Sequence, residues 1–407
     1  MHCIYKKGKK GILFFAFYLL SYHLAAQDSI LMSYERSFVK ADSMGKVRVL
    51  RDAALDERSE EFMGRLCGFA LNYALWNGEI MKDDPDMINL INVASKGAAE
   101  FGDKDSSETL WDLFSVYEDV LARVEILNAL GDLGKGNAKI VDNLNQFLAN
   151  QNAANQNAVF SSDMAVNYPV IQAAVAAIGK IGDASSYLVL FSTLSLSYPE
   201  EILQTANASL NEIPGDFKQF LLDVVQTNPA TESAALPSEK LIAFRLGMES
   251  KKLTDFDKGE LAQAALEAGF DDTRSNIDDL RYQSAQVLTD LKWVRASDIA
   301  VKRFYRVQTD YVNASATKTQ FIDTINLLGA MGTADAAKTL ALQLGLINSK
   351  VEQKIPHDED IVIAFVRALG EIGDKLAFDD LLRIRDYLDY SEKVKTAANA
   401  SLSKLKW

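Results

Sequence analysis

The sequence predicts an all-α protein, a right-handed α–α superhelix of stacked helix pairs, on three observations. Alanine and leucine run through all 407 residues while only 7 are proline, and alternating β-branched runs bounded by turn residues are hard to find. The chain also exceeds what one compact core usually holds, which calls for several domains or a repeat array. Thirdly, one short segment recurs: ALGDLGKGNA at Ala129–Ala138, AIGKIGDASS at Ala177–Ser186, LGAMGTADAA at Leu328–Ala337 and ALGEIGDKL at Ala368–Leu376. A motif repeated at intervals of a few tens of residues marks stacked helical units.

The chain opens with MHCIYKKGKK, then an apolar run from Gly11 to Leu24 closed by Ala25-Ala26. Lysines before a short apolar stretch and a small-residue end have the layout of a secretory signal peptide over 1–27, too short for a usual membrane span. An uncleaved signal anchor is the alternative. Export to the periplasm or beyond is therefore expected, with no span left after cleavage, while peripheral membrane association stays open. The chain carries −13 overall, and the leader contributes Lys6, Lys7, Lys9 and Lys10 but no acid. An acidic surface of that kind argues against general nucleic-acid affinity. Beyond the leader only Cys67 and His357 remain of their types. No intrachain disulfide can form, and zinc, Ser-His and Cys-His chemistry lose nearly all their residues.

The segments then follow in order. Residues 28–110 read as a helical region of degenerate repeats, ending in AAEFGD. Residues 111–230 hold two clear copies, with an Asn/Gln-rich insertion near 145–165 (QFLANQNAANQN, Gln146–Asn157). Residues 231–312 hold degenerate copies at ALEAGFDD and QVLTDLKW, and residues 313–407 hold the last clear ones. Aligning Leu133, Ile181, Met331 and Ile372 brings the preceding apolar residues into register. Before Ile372 these are Ile361, Val362, Phe365, Ala368 and Leu369; before Ile181 they are Val170, Ile171, Ala174, Ala177 and Ile178. Both sets form one wide helical stripe. NASLNEI at Asn207–Ile213 and NASLSKL at Asn399–Leu405 follow a clear copy by 32 and 33 residues. The spacing implies about seven to nine helix pairs.

Each motif carries a pair of glycines three residues apart. Gly131, Gly179, Gly329 and Gly370 fall on the stripe, where a missing side chain lets a neighbouring helix approach. Gly134, Gly182, Gly332 and Gly373 follow the last apolar position, where helices commonly close with a left-handed residue. Asp183 and Asp374 then stand where the next helix needs an N-cap, as Asp216 does after Gly215. Neither the phosphate-loop pattern nor the dinucleotide fingerprint occurs, so the glycines punctuate helices and hold no cofactor; none is expected. These segments resemble HEAT repeats, in particular the short HEAT-like subtype named after phycobilin lyases, whose helix ends in a similar Ala-Leu-Gly-x-Ile-Gly-Asp. The resemblance implies a HEAT/armadillo-like solenoid that serves mainly as a scaffold and only sometimes for chemistry.

Among candidate sites, Leu291–Val312 is a basic, aromatic island in an acidic chain: Trp293, Arg295, Lys302, Arg303, Tyr305 and Arg306, with Phe304 and Tyr311. Arginine and aromatic residues are enriched at binding hot spots, so this is the candidate partner-binding surface. The competing reading is an amphipathic repeat helix with its aromatics inside and its charges solvated. His357, Asp358, Glu359 and Asp360 suggest a metal, but carboxylates at a helix start are explained by capping and the helix dipole. TDFDKGEL at Thr254–Leu261 lacks the full calcium-loop ligand set, so capping by Thr254 or Asp255 is the better reading. Asp271-Asp272 and Asp278-Asp279 read as solvated loop charges. The expected function is an exported, non-catalytic scaffold that binds protein partners in the cell envelope. A lyase-like enzyme or enzyme subunit, and a glycan or envelope-component binder, are the alternatives.

Overall fold

A computed structural model describes residues 29–56, 58–157, 162–227, 239–270 and 277–406. The expected leader, Asp271 and Asp272 lie outside them. Among the described residues the chain is built from α-helices and short 3-10 turns, with one isolated bridge between Asp374 and Lys406. No described helix is long and apolar enough to cross a membrane. The chain divides into two compact units at Gly215 and Asp216, a division that falls inside the 111–230 segment.

The first unit holds α1 (29–40), α2 (Ser43–Leu55), α3 (Glu60–Met81), α4 (Pro85–Glu100), α5 (Ser107–Val116), α6 (Val120–Leu133), α7 (Ala138–Asn157), α8 (Ser162–Ile181), α9 (Tyr187–Leu194) and α10 (Glu200–Glu212). The even-numbered helices α2, α4, α6, α8 and α10 stack in sequence as one layer, and α3, α5, α7 and α9 stack as the other. The second unit repeats this plan. It holds α11 (Phe217–Gln226), α12 (Glu239–Glu249), α13 (Asp255–Phe270), α14 (Asp278–Asp290), α15 (Ser297–Val312), α16 (Lys318–Met331), α17 (Ala334–Glu352), α18 (Glu359–Ile372), α19 (Phe378–Asp386) and α20 (Glu392–Leu402). Here α12 to α20 by even number form one layer and α11 to α19 by odd number the other. Each unit is thus a solenoid of helix pairs in which every pair contacts its neighbours. The pairs number ten among the described residues, against the seven to nine that the spacing implied. The extra ones sit in the N-terminal and middle regions, whose helix ends lack the full glycine motif.

The core lies between the layers. Leu130, Leu210, Leu288, Leu328 and Leu369 are all fully buried. The first glycine of each motif closes the seam between successive even helices. A Cβ at Gly131 would stand 3.0 Å from the Cα of Ala177, and one at Gly329 would stand 3.0 Å from the Cα of Ala368. At Gly370 it would meet Ser401 Oγ at 2.5 Å and Cα at 2.9 Å, and at Gly179 it would run into Ser209. In every case the partner lies four residues before the aligned apolar position of the next repeat (Ile181, Ile213, Ile372, Leu405). The rule is one glycine against one small residue, repeated along the layer.

The second glycine ends the helix. Gly182, Gly332 and Gly373 are left-handed, with φ of 71°, 65° and 73°. Gly134 corrects the expectation: its φ is −74°, and its N–H continues the helix by bonding Leu130 O at 2.8 Å. A glycine is still needed there, because a Cβ would stand 2.7 Å from Leu130 O and 2.9 Å from Ile181 Cδ1. The left-handed step falls on Gly136 (φ 84°), two residues later. Asp183 and Asp374 accept from the N–H groups of Ser185 and Leu376, each at 2.9 Å, and Asp216 accepts from Gln219 at 2.9 Å.

The Asn/Gln-rich stretch is a second correction. Residues 146–157 are the last turns of α7, not an insertion between helices. Asn152 occupies a buried position that reads as a break in the stripe. Its amide donates to Val189 O at 3.2 Å and to Thr193 at 3.1 Å on α9, which satisfies it without water. Residues 158–161 fall outside the described chain.

Candidate functional site

The basic, aromatic island does not form one surface. Trp293 precedes α15 and packs back on α13, its indole N–H donating to Gln263 Oε1 at 2.9 Å. Its ring meets Phe256 at 5.2 Å and 70°, edge-on rather than coplanar. Arg295 covers both rings, at 4.8 Å from Phe256 and 5.6 Å from Trp293, and lies 3.6 Å from Glu260. Lys218 bridges Glu260 and Asp257 beside them. This half of the island knits α11, α13 and the start of α15 together.

Along α15 the side chains part in three directions. Ile299, Ala300, Phe304 and Val307 are buried, and Phe304 meets Phe321 and Phe365 in the core. Lys302 and Tyr305 face solvent, Tyr305 at 43% exposure. Arg303 and Arg306 turn toward a cleft of about 390 Å³ between α14, α15 and α16. A volume of that size is within the range of about 300–1,000 Å³ usual for small-molecule sites.

Three guanidiniums line this cleft, and two of them have structural work. Arg281 donates to Gly269 O at 2.7 Å and pairs with Asp278 at 2.7 Å. Arg306 donates to Phe270 O and lies 5.3 Å over the Phe270 ring. Gly269 and Phe270 end α13, where carbonyls have no partner within the helix, and cationic side chains commonly satisfy them. Arg303 differs. Its Nε is buried and makes no hydrogen bond among the described residues. Burial first, and then the neighbouring Arg281, push its guanidinium down to about 10. Across the cleft on α16, Asp323 Oδ2 is likewise buried without a partner, and burial raises its carboxyl. Arg303 feels Asp323 electrostatically, yet among the described residues the two make no ion pair.

Asp323 escaped the sequence reading, as did Thr289, which lines the same cleft. One signal was present. In QVLTDLKW, Thr289 stands where Gly329 and Gly370 stand in the clear copies, two residues before the aligned apolar position. A side chain there fills the place that glycine leaves free in the closed seams.

The other candidates resolve into helix caps. Asp358 accepts from the N–H groups of Asp360 and Ile361 at the start of α18, while Lys318 lies 3.3 Å from Asp358 and 2.9 Å from Asp360. Lys318 is the main reason the Asp360 carboxyl sits below its ordinary range. His357 turns instead to the Tyr390 ring, 4.9 Å away. Thr254 and Asp257 bond each other's backbone N–H groups at the start of α13, a reciprocal capping box. Asp278 belongs to Arg281. Among the described residues no three His, Cys, Asp or Glu side chains come together as a metal-holding group. Cys67 is buried, and burial, then Asp103 and Glu100, push its thiol up to about 12.

No family model matches the chain, and no curated protein matches it. Among solved structures it is similar to an engineered protein, at 15% identity over 92% of this chain and 98% of that one, TM-score 0.34. Human deoxyhypusine hydroxylase in complex with glycerol matches at 14% identity over 94% and 98%, TM-score 0.26. A circular tandem repeat protein with novel repeat topology and enhanced subunit contact surfaces matches at 12% over 93% and 82%, TM-score 0.14. Likenesses this distant carry no argument about a site or an activity. The helical-repeat architecture stands on the packing of the helices themselves.

Proposed function

We propose that the protein is a non-catalytic scaffold that binds protein partners, exported to the cell envelope by its first residues. The observation that carries this reading is the odd-numbered layer of the second unit. On α17, Leu342 and Leu346 sit one turn apart and are 55% and 53% exposed. Tyr305 is exposed on α15, the preceding helix of that layer. Apolar side chains left in water on a continuous helical layer mark contact surfaces for other proteins. The HEAT-like motif agrees with such a role, and the leader layout supports export.

The test uses Leu342→Asp with Leu346→Asp in the full chain. Both positions face water, so the unfolding midpoint should hold. In-cell crosslinking with mass spectrometry should then lose the partners captured by the parent chain, about tenfold for a two-residue hot spot. Undiminished capture would contradict the assignment of this layer.

A further inference from the structure

We propose that the cleft between α14, α15 and α16 binds a small zwitterion of the amino-acid or short-peptide class, its carboxylate on Arg303 and its ammonium on Asp323. This goes beyond the partner surface, which lies on the exposed odd-numbered layer. Two opposite demands meet in one cavity. Arg303 brings a donor with no acceptor, and Asp323 brings an acceptor with no donor. Buried polar groups in native proteins are nearly always satisfied, and among the described residues these two do not satisfy each other. The neighbouring cations do not meet the need, since Arg281 and Arg306 are held by the end of α13.

The charge of the cavity selects the ligand. Three guanidiniums and four aspartates line it, so a phosphate dianion would meet net repulsion, and a bare cation would leave Arg303 unanswered. A molecule with one carboxylate and one ammonium answers both. The planar fork of a guanidinium also matches a carboxylate in bidentate fashion. On the same walls Thr289, whose hydroxyl donates to Ala285 O, keeps a lone pair, and Gln320, whose Oε1 caps α16, keeps its amide N–H groups for the backbone of such a ligand. The volume of about 390 Å³ is sufficient for a dipeptide.

Calorimetric titration of the full chain with the dipeptide Ala-Ala, its N-acetyl form, its C-terminal amide and inorganic phosphate tests the assignment. The free dipeptide should bind saturably, and blocking either end should weaken it about tenfold or more, the weight of a charge-assisted hydrogen bond. Arg303→Met should no longer distinguish acid from amide. Asp323→Asn should no longer distinguish free from acetylated amine. Arg303→Met removes a desolvated charge and Asp323→Asn keeps its shape, so both variants should fold, which circular dichroism checks. Absence of saturable binding, tighter binding of phosphate than of dipeptide, or an end-group preference that survives both substitutions would overturn the proposal.

Discussion

Two seams of the second unit follow the same plan and end differently. Between α18 and α20, Gly370 lies against Ser401 so closely that a single methyl group has no room. Between α14 and α16, Thr289 takes the glycine's place, and a cleft with charged walls lies beside it. In the first unit Gly131 and Gly179 close α6 on α8 and α8 on α10, and Ala99, which holds the glycine's place in α4, still packs α4 closely on α6. In close-packed helices one missing hydrogen-for-methyl exchange decides how near two backbones come. A glycine or an alanine at this position builds the stack, while the threonine of α14 stands beside a cleft.

The comparison can be strained at three sizes. Leu369 and Leu288 are equivalent and both fully buried, one in the closed seam and one beside the cleft. Replacing either by alanine should cost about 2–5 kcal/mol in urea unfolding, with Leu288→Ala at the lower end because the cleft along α14 leaves that helix room to relax into the space. Equal losses would weaken the link between glycine and packing. At the helix ends, Gly373→Ala should cost about 1–2 kcal/mol, since its φ of 73° is left-handed and Lys404 O lies 3.0 Å from the added Cβ. Lys292 is the mirror case. It holds the same step at the end of α14 with φ of 48°, so Lys292→Gly should gain about 0.5–1 kcal/mol after the cost of a freer unfolded chain.

These sites also show how far the sequence could be read. The helical stack was legible because the motif states its own mechanism: an apolar stripe, a glycine for approach, a second for the turn and an aspartate for the cap. QVLTDLKW was legible as a degenerate repeat end, but its left-handed step at Lys292 was not, because lysine seldom adopts positive φ. Asn152 hid a buried rung because an amide reads as solvent-facing until its partners on the next repeat are seen. The cleft was hidden for a different reason. Arg303 and Asp323 come from separate helices, and the space between them lies beside a position where the glycine is absent, whereas a motif search looks for present ones. Part of the island was legible as chemistry, but Trp293 and Arg295 turned out to knit α13 to α15, and Arg303 alone retains an unmet demand.

The most direct test of the seam rule is the stability of Gly370→Ala. In an ordinary helix interior this change stabilises by about 0.5–1 kcal/mol, because alanine has less backbone entropy to lose. At Gly370 the added carbon would stand 2.5 Å from Ser401 Oγ, 2.7 Å from its Cβ and 2.9 Å from its Cα, so α18 and α20 must separate. Equilibrium unfolding in urea should therefore show a loss of about 1–3 kcal/mol, the usual cost of overpacking. A gain of the ordinary helical size would mean that glycine does not set the spacing of these helices, and the account of both the closed seam and the open one would fail.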